Sequence, residues 1–248
     1  MKKLDGKIAV VTGASKGIGA SIAKHLAAEG AAVVVNYAFS KEGADRIVDE
    51  IVSTGGKAIA VQADVSKRVE VEQLFAKTQQ VFGRLDILVN NAGIYENYSL
   101  EDITEQRFHK QFDLNVLGLL LTSQQGVKHF GAEGGNIINI SSLVSTIPLP
   151  NSSIYSATKA AVDAITKSLA KELGSRNIRV NAINPSLVET EGTHLAGAIG
   201  NDFQKQVEAQ TPLGRIGQPQ DIALAAVFFA SSDSAWITGE TLVISGGF

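Results

Sequence analysis

The chain contains no cysteine. That absence excludes disulfide scaffolds, thiolate metal sites and cysteine nucleophiles together, so the fold must rest on packing. Lysine and arginine number 22 against 25 aspartates and glutamates, a formal charge of −3, and no basic run clusters with aromatics. Nucleic acid and anionic membrane are therefore not expected as partners. The four histidines, His25, His109, His129 and His194, lack metal-ligand spacing, so no metal is expected. The polar opening from Met1 to Lys7 does not read as a signal peptide, and no apolar run has the length of a membrane span. A cytoplasmic location is the expectation. No stretch of Pro, Gly or Ser is long enough for a linker and no repeat stands out, so residues 1–248 read as one domain.

The composition, 44% hydrophobic and 19% charged, is that of an ordinary globular protein rather than a disordered one. Apolar, β-branched runs recur at Ile8 to Thr12, Ala32 to Asn36, Ala58 to Gln62, Ile87 to Asn90, Asn136 to Ile140, Val180 to Asn184 and Leu242 to Ile244. Segments of helical periodicity lie between them, among them Gly17 to Glu29, Lys41 to Ser53, Val69 to Phe82, Thr104 to Lys128 and Ile154 to Gly174. Strands that alternate with helices pair in parallel through helical crossovers, and near-continuous apolar strands are covered on both faces. The expected class is α/β, a Rossmann-type doubly wound sheet of about seven parallel strands with helices on both faces. The segment from Glu189 to Gln210 breaks the rhythm, with a short helical pattern only near Asp202 to Ala209, and reads as a lid at the carboxyl edge of the sheet.

Tyr155-Ser156-Ala157-Thr158-Lys159 places a phenol and an ammonium four residues apart in a helical pattern. At a rise of about 1.5 Å per residue, both side chains project from one face. A phenol, with a pKa near ~10, is a poor acid or base at neutral pH, and a fixed positive charge nearby favours its anion. Such a pair can pass a proton to or from an alcohol oxygen. Taken alone, the spacing equally describes an exposed tyrosine and a solvated lysine.

After the first strand comes Thr12-Gly13-Ala14-Ser15-Lys16-Gly17-Ile18-Gly19. Glycines at 13, 17 and 19 permit a tight turn that brings backbone N–H groups to a pyrophosphate at a helix N-terminus. The spacing is G-x-x-x-G-x-G, not the common G-x-G-x-x-G fingerprint, and a plain strand-to-helix turn is the alternative. The second strand ends in Asn36-Tyr37-Ala38-Phe39-Ser40-Lys41, without the acid that would accept from a ribose 2′-hydroxyl. Lys16 and Lys41, with Ser40 and Asn36 as neutral donors, could instead surround a 2′-phosphate.

Together these residues resemble the short-chain dehydrogenase/reductase family over essentially the whole chain. The match runs through T-G-x-x-x-G-x-G at Thr12 to Gly19, Asp64 with Val65, Asn90-Asn91-Ala92-Gly93, Asn115, Ser141 with Ser142, Tyr155 with Lys159, and Pro185. The resemblance implies that Tyr155 is the general acid in carbonyl reduction, with Lys159 lowering its pKa and bonding the nicotinamide ribose. It implies that Ser142 polarises the carbonyl and that Asn115 positions a relay water. Asp64 and Val65 would meet the adenine, Asn91 and Gly93, with Ala92 between them, the ribose side, and Val188 the carboxamide. Gly13, Ser15, Lys16, Gly17, Ile18, Gly19, Asn36, Tyr37, Ser40, Pro185 and Ser186 complete the expected cofactor site. The implied cofactor is NADP(H), with NAD(H) left open. Read singly, Asn115 also suits a distorted helix, Ser142 a cap and Asp64 an N-cap.

Two positions depart from the family pattern: Pro185-Ser186 stands where Pro-Gly is usual, which would set the Ser186 side chain close to the nicotinamide, and Ser245-Gly246-Gly247 stands where Asp-Gly-Gly is common. Within the family the chain is similar to 3-ketoacyl-acyl-carrier-protein reductases and to related glucose and secondary-alcohol dehydrogenases. Arg176 could meet an acidic carrier, yet the loop from Phe130 to Gly135 offers Glu133 instead of a base. The expected pocket positions, Ile94, Tyr95, Leu143, Val144, Ile147, Leu149 and Leu187, are mostly apolar, with Glu96 and His194 among the few polar candidates. A hydrophobic ketone or aldehyde fits them better than a sugar, whose hydroxyls need partners. The resemblance also implies a homotetramer. A noncatalytic cofactor-binding regulator is the alternative from another class.

Overall fold

The computed structural model describes residues 2–248. Seven strands form one parallel sheet in the order β3-β2-β1-β4-β5-β6-β7. They are β1 (Ile8–Val11), β2 (Ala32–Tyr37), β3 (Lys57–Gln62), β4 (Ile87–Asn90), β5 (Gly135–Ile140), β6 (Ile178–Pro185) and β7 (Thr241–Ile244), each within two residues of its expected run. The order reverses at β1, from which β2 and β3 lie to one side and β4 to β7 to the other. The doubly wound arrangement expected from the sequence is therefore the observed one.

Strand alternation divides the core into two layers. Ala9, Val11, Val33, Val35, Ile87, Val89, Ile138 and Ile140 face helices α1 (Gly17–Ala28), α2 (Lys41–Ser53) and α9 (Pro219–Ala230). Val10, Val34, Leu88 and Ile137 face α3 (Arg68–Phe82), α5 (Leu119–His129) and α6 (Ser153–Leu173). The central strands are buried on both sides, as their unbroken apolar runs require. The two edge strands depart from that expectation: β3 is mostly half-buried, and Leu242 and Val243 of β7 are exposed. Each edge strand has a sheet neighbour on one side only.

The long helix expected from Thr104 is interrupted. Thr104 caps α4 (Glu105–Phe112) by accepting from Arg107 N, and residues Asp113–Gly118 then form a π-helical turn before α5. Such turns re-aim side chains at functional sites. At Gly118 an added Cβ would lie 3.2 Å from Val65 Cγ2, so the missing side chain lets this turn approach the end of β3. Residues 189–210 form α7 (Glu191–Leu195) and α8 (Asp202–Gln210). Helix α7 is started by a reciprocal Thr190–Thr193 capping box. No helix is long and apolar enough to cross a membrane.

Between β4 and β5 the sheet carries a polar seam. Asn90 Nδ2 donates to Asn139 Oδ1 at 2.9 Å and to Ser123 Oγ at 3.0 Å, and Asn139 Nδ2 donates to Thr166 Oγ1 at 2.9 Å. Thr122 Oγ1 meets Asn90 Oδ1 at 2.6 Å. These buried groups satisfy one another across two strands and two helices.

Candidate active site

The site forms where β1 and β4 diverge, the crevice in which doubly wound sheets bind ligands. The glycine loop leaves β1 and the segment Asn91–Gly93 leaves β4, and Thr12 ties them together. Its hydroxyl donates to Val89 O at 3.3 Å and accepts from Asn91 N at 2.9 Å and Ala92 N at 3.0 Å. Asn91 Nδ2 returns two bonds, to Thr12 O at 2.9 Å and Gly13 O at 3.1 Å. Gly13 has φ 61°, and an added Cβ would lie 2.9 Å from Ala92 Cα. Thr12 belongs to the quoted motif but carried no role in the sequence reading, since a hydroxyl bracing two loops has no signature in spacing.

The sequence-derived catalytic residues converge. Lys159, 7% exposed, donates to Ile140 O at 2.9 Å, and its Nζ lies 5.6 Å from the Tyr155 ring centroid. Asn115 Nδ2 donates to Thr158 Oγ1 at 3.1 Å, and that hydroxyl donates to Tyr155 O at 2.7 Å. Gly93 lies between Asn115 and Lys159, for an added Cβ there would be 3.1 Å from Asn115 Oδ1 and 3.8 Å from Lys159 Nζ. Ser142 follows β5 and caps a short 3-10 turn, Leu143–Ser145, accepting from Val144 N. A cavity of about 10 Å³, near the lower limit for one water, lies among Thr12, Asn90, Asn115 and Lys159.

Burial pushes the Tyr155 phenol up to about 12, against a smaller lowering by the Ser142 hydroxyl. Burial in turn pushes Lys159 down to about 8, opposed by Asp163. Asn115 Oδ1 accepts from Ile94 N at 2.9 Å and Nδ2 also donates to Ile94 O at 2.8 Å. It braces the π-turn against the segment after β4.

At the adenosine end the structure separates the expected phosphate ligands. Asn36 is buried; its Oδ1 accepts from Gly13 N at 3.2 Å and its Nδ2 donates to Val61 O and Ala63 O, so it supports the loop instead of facing a ligand. Lys41 is engaged with Asp45. Ser15 and Ser40 do meet, around Gly43, where an added Cβ would lie 2.6 Å from Ser40 Oγ and 2.9 Å from Ser15 O. Lys16 is exposed beside them, while Tyr37 is buried. Asp64 closes its own turn, accepting from Ser66 N and Oγ at 3.0 and 2.8 Å, and Val65 is buried against Gly118.

Pro185 ends β6 opposite Ile244, and Ser186 N continues that ladder to Ile244 O at 3.2 Å. Val188 is buried and bridged to Gly217. The 189–210 segment then crosses to the glycine loop: Gly17 N donates to Glu191 Oε2 at 3.0 Å, so a carboxylate occupies the first N–H of α1. Tyr95 meets Tyr155 edge-on, ring centroids 6.2 Å apart, and an added Cβ at Gly192 would lie 2.6 Å from the Tyr95 hydroxyl. The two polar pocket candidates are both paired: Glu96 with Lys110 and Tyr98, and His194 with Glu189 at 3.0 Å. Leu143 is buried, whereas Ile147 and Leu149 are exposed.

A crossing at the sheet's switch point, a loop whose Gly13 and Gly19 leave no room for a side chain, and a half-buried tyrosine beside a buried lysine point to an oxidoreductase of the nucleotide-binding α/β class. Comparison with known proteins narrows this: the chain belongs to the short-chain dehydrogenase/reductase family. A family model described as enoyl-(acyl carrier protein) reductase matches residues 13–248. The chain is 58% identical over 247 residues to an uncharacterized oxidoreductase of Methylorubrum extorquens, covering 100% of this chain and 99% of that one. It is 39% identical over 257 residues to a hydroxynaphthalene reductase-like protein of Metarhizium majus, covering 99% and 96%. A short-chain dehydrogenase of Burkholderia cenocepacia, solved in complex with NADP, superposes with a TM-score of 0.93 at 38% identity, covering 99% and 98%.

Proposed function

We propose that the protein is an NADPH-dependent carbonyl reductase acting on a hydrophobic ketone or aldehyde. The observation that carries the proposal is the convergence of a half-buried Tyr155 and a buried Lys159 with Ser142 and Asn115, at the mouth of the glycine-loop crevice. The crevice fits a dinucleotide: side chains are excluded at Gly13 and Gly19, and the Gly17 N–H already donates to an anionic oxygen, that of the Glu191 carboxylate. When bound, the reduced nicotinamide supplies a hydride. Tyr155 donates its phenolic proton to the carbonyl oxygen, and Ser142 donates a hydrogen bond to the same oxygen. With its value near 12 the phenol is protonated at neutral pH, the state that reduction requires. Lys159 supplies the positive charge that steadies the phenolate left behind.

NADPH is favoured because β2 ends without a carboxylate and Lys16 stands exposed beside Ser15 and Ser40. The NADP complex of the Burkholderia relative supports the same reading. The substrate is read from Tyr95 beside Tyr155 and from the exposed aliphatic side chains Ile147 and Leu149 on the stretch that follows the Ser142 turn. The hydroxynaphthalene reductase-like relative makes a bicyclic aromatic ketone the first compound to try. A sugar is disfavoured because Glu96 and His194 are already paired. An acyl-carrier protein is disfavoured because Arg176 donates to Val127 O and Glu133 lies in the neighbouring loop. A regulator without activity would have no chemical need for the assembled residues. Homotetramer formation is consistent with exposed Leu117 and Leu120 on the π-turn and α5.

The test is cofactor oxidation with a panel of bicyclic aromatic, aliphatic, sugar and acyl-thioester carbonyls, together with an enoyl thioester. Reduction of the aromatic ketone is expected, with kcat/KM about tenfold or more in favour of NADPH, equivalent to about 1.4 kcal/mol. A preference for NADH would overturn the 2′-phosphate reading, and tight nucleotide binding without turnover would favour the regulator.

We further read residues 189–210 as a lid whose Glu191 opposes the incoming pyrophosphate. Glu191→Gln is then expected to tighten NADPH binding about threefold to tenfold in a calorimetric titration, because a like charge leaves the helix N-terminus. Unchanged or weaker binding would show that the carboxylate does not compete.

A further inference from the structure

We infer that Asp163 is a positioning residue of this site, a buried carboxylate that holds the Ser142 turn through Asn184 and serves as interior counter-charge to Lys159. The inference rests on the carbonyl-reductase reading above. Asp163 is 8% exposed and lies four residues beyond Lys159 on α6, one turn away on the same face. Asn184 Nδ2, projecting from β6, lies 2.9 and 3.2 Å from the two Asp163 oxygens, 3.1 Å from Ser145 Oγ and 3.3 Å from Ser142 O. An amide nitrogen carries two hydrogens, so these acceptors compete, and the nearest and only charged one binds most strongly.

Asn184 Oδ1 is buried and has no partner among the described residues. Turning the amide over would set that oxygen against the carboxylate, so the Asp163 charge holds the nitrogen toward the Ser142 turn. Two members of the catalytic set therefore answer to one carboxylate, Lys159 through charge and Ser142 through the amide.

Few other titratable groups face the pair. Tyr155 shares the helix and Tyr95 approaches Tyr155 from the segment after β4. The packed strands and turns present Asn139, Ser141, Ser142, Ser145, Asn184 and Asn115, all neutral. His109 and Asp113, from the preceding helix and π-turn, are exposed and lie 3.7 Å from one another. Removing the carboxylate leaves a buried ammonium opposed only by its desolvation, which favours loss of its proton.

The experiment compares wild type with Asp163→Asn and with the smaller Asp163→Ser. Two readouts are used: the pH profile of kcat, and an NMR titration of Lys159 in cofactor-free protein labelled with ¹³C-lysine, its signal assigned by loss in Lys159→Arg. The Lys159 titration is expected to move about one pH unit downward. Reduction is expected to fall about tenfold at pH 8 but no more than about threefold at pH 6, where Lys159 keeps its proton. A Lys159 titration that does not move, or an equal loss at both pH values, would overturn the inference. So would collapse of both variants, which would make Asp163 a fold residue. Should wild type reduce no carbonyl at all, the functional reading fails, and the titration still decides whether Asp163 governs Lys159.

Discussion

Tyr155→Phe is expected to reduce kcat for carbonyl reduction about a thousandfold, within the range of 10² to 10⁴ typical of a lost general acid. That factor corresponds to about 4 kcal/mol of transition-state stabilisation. Nucleotide affinity should hardly change, because the contacts that build the first turn of α6 use the Tyr155 main chain: Thr158 Oγ1 donates to its carbonyl and Asn115 supports Thr158. The fold should survive as well, since phenylalanine keeps the ring that meets Tyr95 edge-on. Single-turnover kinetics would isolate the chemical step, with calorimetric titration as the binding control. Turnover near the wild-type rate would dismiss Tyr155 as the acid. Loss of nucleotide binding would instead point to a collapsed helix start.

A second large effect is expected at Gly19. An added Cβ there would lie 2.4 Å from Asn91 Nδ2, 2.7 Å from Gly13 O and 3.1 Å from Ala14 Cα. The amide cannot retreat cheaply, because it bonds Thr12 O and Gly13 O, and the other two atoms are backbone of the loop itself. Gly19→Ala should therefore distort the loop, at an overpacking cost of about 1–3 kcal/mol and a Tm lower by several degrees. Affinity for NADPH should fall about a hundredfold or more, because the N–H groups no longer converge. Gly131→Ala is the matched control, for no atom lies within 4 Å of its added Cβ, and it should leave both measurements unchanged. Calorimetry and thermal unfolding of the two variants would decide the matter.

What could be read in the sequence was what local pattern determines. Each apolar, β-branched run became a strand, because central strands of a doubly wound sheet must be apolar on both faces. The loop glycines and the convergence of Asn115, Ser142, Tyr155 and Lys159 could be read because the family motifs lie in fixed order around one crevice. Short or cooperative features were hidden. Helix α7 spans only Glu191–Leu195, too few residues for a periodic signal, and its capping box pairs two threonines. The π-turn at Asp113–Gly118 leaves apolar spacing almost undisturbed. Side-chain direction was also beyond reach. Asn36 and Lys41 have the chemistry to hold a phosphate, yet one is spent inside the loop and the other on Asp45. Nor could spacing show how deeply Lys159 is buried or that Asp163 opposes the effect of that burial.

The Asn90–Asn139 seam has a consequence for how precisely the two sides of the candidate site are spaced. Strand β4 delivers Gly93 and β5 delivers Ser142, and the two asparagines face each other in register between them. Sliding one strand past the other by a residue would move these ends by about 3.3 Å and turn every side chain to the opposite face. It would also strand both amides in the core, at about 1–3 kcal/mol for each unpaired group. The seam thus acts as a ruler fixed inside the sheet, so that loops and lid can vary with the substrate while the distance between the two strand ends does not.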